Sequence, residues 1–212
     1  MDLLSELIPR KQQIAKDAYL LTEFALPIQE ALLADFQQII TLAPFRHMVT
    51  PNGFAMSVGM SNCGDFGWVT DKTGYRYASH DPKSGMPWPA MPATFLQLAK
   101  DAANEAGFED FVPDACLINQ YKVGARMSLH QDKNERDFSQ PIVSVSLGLP
   151  AMFQFGGHMR ADKTIKISLN HGDVLVWGGE SRLHYHGILP LKAGTHALLG
   201  ERRINLTFRK AT

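Results

Sequence analysis

Apolar side chains recur at intervals of three and four residues in two segments of the first half of the chain. One segment opens at Pro27 and stops before Pro44, and the other runs over 93–106 with Gly107 behind it. This spacing places apolar groups on one face of an α-helix, with proline suited to its first turn and glycine to its end. The pattern predicts two amphipathic helices that pack against a core. Patterning is weak before about residue 18, and we expect a short helix or a loosely held arm there.

Beyond Pro113 the pattern changes to short runs of β-branched and aromatic residues, separated by glycine, proline, asparagine or aspartate. Such runs are typical of strands joined by turns, and their close succession indicates an antiparallel sandwich, jelly roll or barrel. Residues 45–77 also contain short β-like pieces, and 82–92 is a proline-rich loop. The strands predicted after Pro113 cover 115–121, 142–149, 152–155, 165–169, 174–177, 183–188 and 204–208.

Length and charge narrow the possible functions. The 212 residues can bury one sizeable core, and the 21 basic and 21 acidic side chains cancel, which argues against a large basic nucleic-acid-coating surface but allows a local basic rim. Cys63 and Cys116 lack zinc-site spacing and are expected as reduced thiols of a cytosolic protein. The chain has neither an apolar run of about 18 residues nor the start of a signal peptide. We therefore expect a soluble, cytoplasmic protein that does not associate with a membrane.

His130 and Asp132 are the first candidates for chemistry. In a strand, residues two apart project to the same side, so an imidazole and a carboxylate would meet there. His186, from a later strand, would complete a set of two histidines and one carboxylate. This set leaves three adjacent positions of an octahedral ion open, as oxygen chemistry at non-haem Fe(II) requires. A solvated, charged turn over 131–137 is the alternative interpretation.

The last predicted strand is the second candidate, because polar and apolar residues alternate along it. A polar face that points into a barrel needs a polar occupant, and two guanidinium groups that reach toward one another suit a short dicarboxylate. An edge strand with its arginines in solvent is the alternative. The polar positions are Arg203, Asn205, Thr207 and Arg209.

Together these residues resemble the Fe(II)- and 2-oxoglutarate-dependent dioxygenases. More narrowly, several motifs in the same order are similar to the bacterial AlkB type, a family of enzymes that repair alkylated nucleic acids. The resemblance runs from about Pro44 to Arg209. Its motifs are Asn119-Gln120-Tyr121, Ser128-Leu129-His130-Gln131-Asp132, 143–148, 153–157, Gly172-Asp173-Val174 and 177–182.

The resemblance implies a mainly β (α+β) fold, a double-stranded β-helix or jelly roll with supporting N-terminal helices and a β-rich nucleotide-recognition lid. It implies one compact catalytic domain, in which 1–44 is an N-terminal arm and helix, 45–112 is the lid with a supporting helix, and 113–212 is the dioxygenase core. Fe(II) is the implied cofactor, and 2-oxoglutarate and O2 are the implied co-substrates. The resemblance assigns iron to His130, Asp132 and His186, and 2-oxoglutarate to Asn119, Tyr121, Arg203, Asn205 and Arg209.

Family positions also indicate where a flipped base would bind. Trp68 would form one side of a sandwich opposite His130, and Arg160 would contact the substrate. The residues that the resemblance assigns to the substrate are Met60, Trp68, Tyr75, Arg76, Tyr77, Asn134, Ser144 and Arg160.

Two positions depart from the family pattern. The residue two positions after the ligand Asp132 often is an acid that helps to hold a cationic methylated base, but here it is Asn134. A further histidine, His184, precedes His186 by two residues. We assign iron to His186 because the sequence His-Gly-Ile matches the family.

The implied reaction is oxidative demethylation of bases such as 1-methyladenine and 3-methylcytosine, with release of succinate, CO2 and formaldehyde. We expect a monomer that acts on alkylated DNA, preferably single-stranded because base extrusion costs least there, with double-stranded DNA and RNA as further substrates. Two alternatives stay open: an oxygenase of this kind that acts on a protein or small molecule, and a non-catalytic jelly-roll binding module. A zinc hydrolase would leave the arginines of the last strand unexplained.

Overall fold

The computed structural model describes residues 10–212, which form two β-sheets, a separate β-hairpin and two helices. The first part of the predicted arm, residues 1–9, lies outside the described residues. The predicted mainly β fold with two helices is confirmed. The strands are β1 Lys11–Ala15, β2 Ala18–Leu21, β3 Arg46–Val49, β4 Ala55–Gly64, β5 Gly67–Asp71, β6 Gly74–Ala78, β7 Ala115–Lys122, β8 Met127–His130, β9 Ile142–Gly148, β10 Ala151–Phe155, β11 Ile165–Leu169, β12 Val174–Trp177, β13 His186–Ile188 and β14 Arg202–Arg209, and the helices are α1 Gln29–Leu42 and α2 Ala93–Glu105.

The strands are not paired in chain order. The large sheet runs β1-β2-β12-β9-β14-β7-β4-β3, and the small sheet runs β11-β10-β13-β8. From β7 to β14 the chain passes back and forth between two sheets that face each other, with β10 and β11 as consecutive strands of the small sheet. This is the arrangement of a jelly roll. Neither helix within residues 10–212 is long and apolar enough to cross a membrane.

The two faces of β14 meet different surroundings. Its apolar residues point outward to the helices, where the ring of Phe208 lies 5.9 Å from that of Phe95 on α2. Its polar residues point into the space between the sheets, and Arg203 and Arg209 are buried there. The predicted polar inward face is therefore confirmed, and the alternative of an edge strand with arginines in solvent is wrong. β14 pairs with β7 on one side and β9 on the other, so its side chains lie at the centre of the large sheet.

Aromatic side chains fill part of the interior. Phe153 of β10 and Trp177 of β12 lie with ring centroids 6.2 Å apart, and both contact the imidazole of His186, at 5.8 Å and 5.0 Å between centroids. This apolar packing closes one side of the interior to water.

The first described residues form strands instead of the predicted helix or loose arm. β2 pairs with β12, with Tyr19 opposite Val176, and β1 pairs with β2 at the sheet edge. Most of β1 is exposed, so its sequence carries little hydrophobic alternation. Pairing with a strand far along the chain sets the conformation of this segment, and local pattern does not reveal such pairing.

Two predicted strand boundaries in the second half need correction. The strand predicted over 183–188 covers only His186–Ile188, because a 3₁₀ turn occupies Gly179–Ser181 before it. β8 ends at His130, so Asp132 lies in the loop that follows. The two side chains still meet, but Asp132 does so from a loop and not by strand alternation.

The hairpin β5–β6, here called the lid hairpin (67–78), rests on the proline-rich loop. A Cβ atom on Gly67 would lie 2.3 Å from the ring of Trp88, so only glycine permits this approach. The indole N–H of Trp88 donates to the carbonyl of Ala78 at 2.8 Å. Arg46 and Asp81 form an ion pair of 2.5 Å that holds the loop against β3. The hairpin is thereby fixed at its base, while its other face turns toward the interior.

Candidate functional site

The three predicted metal ligands come together at one end of the small sheet. His130 and His186 are direct register partners on β8 and β13. Asp132 lies between them, with its Oδ1 atom 3.7 Å from Nε2 of His130 and its Oδ2 atom 3.8 Å from Nε2 of His186. One ligand atom from each residue lies within 4.8 Å of the others, as a common metal ion requires. The interpretation of 131–137 as a solvated charged turn is therefore wrong for Asp132.

Backbone carbonyls orient both imidazoles. Nδ1 of His130 donates to the carbonyl of Ser128 at 2.8 Å, and Nδ1 of His186 donates to that of His184 at 3.0 Å. Each ring therefore presents its unprotonated Nε2 atom toward Asp132. This is the tautomer that a metal-binding histidine needs.

The local electrostatics favour the ligand forms of these groups. Burial, together with the neighbouring His130, lowers the pKa of His186 to about 3, so its imidazole is neutral at physiological pH. Burial alone would raise the pKa of Asp132, but Arg209 outweighs it, with further help from the histidines, and holds this pKa well below its usual range. Two neutral imidazoles and one carboxylate are the donors that ferrous iron takes in sites with open positions.

Arg209 is the immediate partner of the Asp132 carboxylate. Its Nε and Nη2 atoms donate to Oδ2 at 3.0 and 2.7 Å. The pairing leaves Oδ1 of Asp132 facing His130. Arg209 thus orients the metal ligand Asp132 by hydrogen bonding, in addition to any contact it makes with a carboxylate of a co-substrate.

Among residues 10–212 Arg203 has no such acidic partner, although it is buried on the same strand face. One amino group donates to Ser146 Oγ at 2.8 Å, and the guanidinium lies 5.1 Å from the ring centroid of Tyr121. Its Nε and Nη1 atoms find no hydrogen-bond partner within residues 10–212. Burial lowers the pKa of this guanidinium. A buried, incompletely paired cation is costly, and a carboxylate of a bound ligand would satisfy it. The residues therefore fit an acidic co-substrate.

Side-chain amides of β7 and β14 line the inward face of the large sheet between Arg203 and Arg209. Asn119 Nδ2 donates to Asn205 Oδ1 at 3.2 Å, and Thr207 donates to the same oxygen at 3.0 Å. Asn205 Nδ2 donates to Ser144 Oγ at 2.8 Å. The carbonyl oxygen of Asn119 has no partner within the described residues, so this amide retains capacity for a ligand. The structure brings together all five residues that the sequence assigned to 2-oxoglutarate on β7 and β14.

Residues of the lid hairpin form an aromatic wall beside the metal ligands. The rings of Trp68 and Tyr75 stack at 5.7 Å between centroids, and the indole N–H of Trp68 donates to Asn134 Oδ1 at 3.0 Å. Asn134 belongs to the loop that carries Asp132. The wall is thus tied to the metal-binding loop by a side-chain hydrogen bond.

The predicted substrate residues do not all lie on this wall. Register pairs Trp68 with Tyr77 and Val69 with Arg76, so Arg76 points to the opposite face of the lid hairpin from Trp68 and Tyr75. There it pairs with Asp71 of the same hairpin at 2.7 Å. The assignment of Arg76 to the substrate stays a prediction, and any contact it makes would come from the opposite face of the hairpin.

Three other predicted substrate residues have defined surroundings. Met60 is buried on β4 opposite Asn119, on the interior side. Ser144 lies deep in the wall, where it accepts from Asn205. Arg160 is exposed and stacks on the ring of Tyr185 at 5.4 Å, close in sequence to the ligand His186. Met60 and Ser144 lie inside the barrel, whereas Arg160 lies at its rim.

Two functional candidates were absent from the predicted site. Glu135 is buried, accepts from the hydroxyl of Tyr77 at 2.5 Å and pairs with Arg182 at 3.1 Å. Arg182 in turn donates to the backbone carbonyl of Asp132 at 2.8 Å. The sequence shows that Glu135 lies close to Asp132 and that Arg182 ends the motif 177–182. Their contact with each other depends on the tertiary fold, so it leaves no signal in the sequence.

The chain also resembles known proteins. Residues 17–209 match the model of the 2OG-Fe(II) oxygenase superfamily. Two proteins named alpha-ketoglutarate-dependent dioxygenase AlkB, from Salmonella typhimurium and Escherichia coli, are each 54% identical over 211 residues, covering 100% of this chain and 98% of the relative. An Arabidopsis thaliana protein named DNA N(6)-methyladenine demethylase ALKBH1C is 35% identical over 161 residues, covering 64% of this chain and 35% of that protein. The solved structure of OsALKBH1 has a TM-score of 0.82 at 29% identity and covers 94% of this chain and 99% of that one.

The family match spans the jelly roll, the three ligands and the arginines of β14 together. The full-length similarity to two AlkB proteins places the chain in the AlkB type within this superfamily. The chain belongs to the 2OG-Fe(II) oxygenase superfamily, as an AlkB-type dioxygenase that depends on Fe(II), O2 and 2-oxoglutarate.

Proposed function

We propose that this dioxygenase removes alkyl groups from ring nitrogens of nucleic-acid bases by oxidation. Its preferred substrates are 1-methyladenine and 3-methylcytosine in single-stranded DNA, with double-stranded DNA and RNA as further substrates. The observation that carries the proposal is the aromatic wall of Trp68 and Tyr75, joined through Asn134 to the loop that holds Asp132. An aromatic wall next to an oxidising centre is what an extruded base needs.

In this proposal His130, Asp132 and His186 hold Fe(II). Bound iron, with O2 and 2-oxoglutarate, supplies the oxidising power, and the co-substrate is converted to succinate and CO2. Arg203 pairs with one carboxylate of 2-oxoglutarate, because its guanidinium is buried and lacks an acidic partner within residues 10–212. Arg209 keeps Asp132 ionised and oriented.

The remaining residues orient the co-substrate and exclude water. Asn119, Tyr121 and Asn205 line the wall between the two arginines and supply hydrogen-bonding groups to 2-oxoglutarate. Phe153 and Trp177 shield the His186 side of the site. A dry, oriented site limits oxidation of anything except the group that is held in it.

The substrate residues act on the base and its flanking backbone. Trp68 and Tyr75 stack against the base, and Met60 closes the pocket from the interior. Arg160, exposed at the rim, offers a cation to a phosphate or a base edge. With iron bound, the centre would oxidise an N-methyl group that these residues present to it. The resulting hydroxymethyl group would leave the nitrogen as formaldehyde, while a proton returns to the base and restores it.

The name of one relative supports a nucleic-acid substrate. This relative, 35% identical over 161 residues, is named a DNA N(6)-methyladenine demethylase. The net charge of zero is compatible with it, because a single flipped base needs a local pocket more than a wide basic surface. No nucleophile from the protein is required, and the oxidation needs only a positioned methyl group.

Formaldehyde release tests the proposal. A short single-stranded DNA containing one 1-methyladenine is incubated with enzyme, Fe(II), ascorbate and 2-oxoglutarate, beside the same oligonucleotide without the methyl group, an RNA of the same sequence and the variant His130→Ala. We expect formaldehyde only from methylated strands and only with 2-oxoglutarate and an intact His130. Succinate without formaldehyde from any methylated strand would assign the oxygenase to a protein or small-molecule substrate. Absence of both products from iron-loaded enzyme would leave a binding module.

A further inference from the structure

A buried chain of polar contacts joins the lid hairpin to the metal ligand Asp132. The hydroxyl of Tyr77 on β6 donates to Oε1 of Glu135 at 2.5 Å. The same Oε1 atom lies 3.6 Å from Nε of Arg209, which donates to Oδ2 of Asp132 at 3.0 Å. Glu135 and Asp132 therefore compete for the guanidinium of Arg209, and Tyr77 competes with Arg209 for the Oε1 atom of Glu135.

The geometry fixes Glu135 so that only this oxygen can change partner. Its other oxygen, Oε2, accepts from Arg182 at 3.1 Å, and Arg182 is anchored by two backbone carbonyls, those of Asp132 at 2.8 Å and Gln140 at 2.9 Å. The side chains of Glu135 and Arg182 are 1% and 3% exposed, so water does not replace a lost partner. If Tyr77 withdraws, Arg209, whose Nε atom lies 3.6 Å from Oε1, is the nearest charged donor to this oxygen among residues 10–212.

We propose that Tyr77 is a positioning residue that couples the seating of the lid hairpin to the state of the iron site. With the hydroxyl bound to Glu135, Arg209 gives its Nε and Nη2 hydrogen bonds to Asp132. Without it, Glu135 draws Arg209 away, and Asp132 loses part of the charge that orients it. As a result, oxidation at the iron site depends less on whether a substrate is bound to the lid hairpin. Coupling of this kind changes equilibria by about two- to thirtyfold.

The inference rests on the proposed function, because the substrate is the group that seats the lid hairpin. It predicts a specific defect. When the hairpin is no longer linked to Asp132, turnover of 2-oxoglutarate continues without oxidation of the base. One oxygen atom of O2 would then enter succinate as 2-oxoglutarate loses CO2. The other would leave as water, with ascorbate supplying two electrons and two protons in place of the base.

The test compares Tyr77→Phe with the matched variant Tyr19→Phe. Both lose one phenol hydroxyl, but Tyr19 lies on β2 against the helix-covered side of the large sheet, outside the site. Succinate and formaldehyde are measured with the 1-methyladenine oligonucleotide, and succinate also without it. We expect the ratio of succinate to formaldehyde to rise about two- to thirtyfold in Tyr77→Phe and to stay at the wild-type value in Tyr19→Phe. Equal ratios in all three proteins would overturn the inference.

A measurement that does not depend on turnover checks the proposed route. Co(II) bound in place of iron has ligand-field absorption bands that respond to the position of the Asp132 carboxylate. We expect these bands to shift in Tyr77→Phe and to return toward the wild-type spectrum when Glu135→Gln is added, because the neutral amide no longer competes for Arg209. Unshifted bands in Tyr77→Phe would refute the route through Arg209.

The failure of the inference is distinguishable from the failure of the proposed function. Wild-type enzyme that makes succinate but no formaldehyde from methylated strands contradicts the nucleic-acid substrate. Wild-type enzyme that makes both in equal amounts, with the same ratio in Tyr77→Phe, contradicts only the role of Tyr77.

Discussion

The imidazole rings of His130 and His186 lie 4.5 Å apart, where β8 and β13 place the two residues directly opposite each other. The neighbouring His184 points elsewhere, and its ring contacts those of Phe155 and His158 at 5.3 and 4.6 Å. Register thus distinguishes a ligand from a histidine two residues away. This distinction can be tested by removing each ring in turn.

We predict that His186→Ala abolishes stoichiometric iron binding and that His184→Phe preserves it. The first variant removes the Nε2 atom that faces Asp132, whereas the second keeps an aromatic ring in its packing site. Iron content after dialysis, measured by atomic absorption beside wild-type protein, gives the answer. Retained iron in His186→Ala, or lost iron in a folded His184→Phe protein, would reverse the assignment.

The second prediction concerns Arg203, a buried arginine that has no acidic partner within residues 10–212. Arg203→Met removes the cation that we assign to 2-oxoglutarate, so the KM for 2-oxoglutarate should rise roughly 10- to 100-fold, the effect of losing a hydrogen bond to a charged group. Arg202→Met is the matched control, because the adjacent side chain donates to the carbonyl of Leu199 and to no acidic group within the described residues. Steady-state succinate formation measures both. An unchanged KM in Arg203→Met would place the co-substrate elsewhere.

Sequence reasoning located most of this site because the relevant information is local. A strand has a side-chain period of two, so the polar face of β14 could be read from its residues alone. The choice of His186 over His184 came from family resemblance, and β8–β13 register now supplies its physical reason.

Other features were invisible because they depend on contacts between distant segments. The pairing of β2 with β12 leaves no pattern in the exposed β1. The ion pair of Glu135 with Arg182 joins two loops that no periodicity connects. The motif of Tyr75, Arg76 and Tyr77 is different, because strand alternation alone divides its side chains between two faces of the lid hairpin.

The third prediction concerns Asn134, which stands where the family often has an acid. Asn134→Asp keeps an oxygen for the indole N–H of Trp68 but adds a negative charge beside the proposed base pocket. A carboxylate favours a cationic methylated base, so we expect kcat/KM for 1-methyladenine to rise relative to that for a neutral methylated base, 1-methylguanine, by about tenfold. Formaldehyde release from the two oligonucleotides measures the ratio. A ratio equal to that of wild type would show that this side chain does not contact the base.

The fourth prediction is a pH dependence of stability that arises away from the site. Burial, together with the neighbouring His196, lowers the pKa of His171 from its ordinary value of 6.5. The unfolded chain therefore takes up a proton at this residue as pH falls below about 6.5 while the folded chain does not, and stability decreases toward lower pH. Protonation is also disfavoured because Nδ1 accepts from the backbone N–H of Gly148 at 2.8 Å.

Urea unfolding of metal-free protein between pH 5.5 and 7.5, a range set about the pKa of an unperturbed histidine, measures this effect. In His171→Gln the stability should vary less steeply with pH than in wild type, even if it is lower throughout. His47→Gln serves as control, because His47 lies at the exposed surface of β3. Identical slopes for wild type and His171→Gln would contradict the assignment of the titration to His171.

The last prediction concerns Gly187, which lets the two histidine-bearing strands approach. A Cβ atom at this position would lie 2.7 Å from the carbonyl oxygen of Met127 and 3.1 Å from the amide nitrogen of Leu129, both backbone atoms of β8. Backbone cannot rotate away as a side chain can, so Gly187→Ala must push β13 from β8 and carry His186 away from His130. Metal sites tolerate displacements of about 0.5 Å, and we expect affinity for Co(II) to fall about tenfold or more while the fold persists. Gly156→Ala is the matched control. Its Cβ would lie 3.3 Å from a methyl group of Thr164, which can yield, and 3.4 Å from the carbonyl oxygen of Tyr185, which is an ordinary van der Waals contact. Titration with Co(II), together with thermal unfolding of each variant, separates loss of the metal site from loss of the fold. Wild-type affinity for Co(II) in Gly187→Ala would mean that the close approach of β13 and β8 does not set the distance between the two histidines.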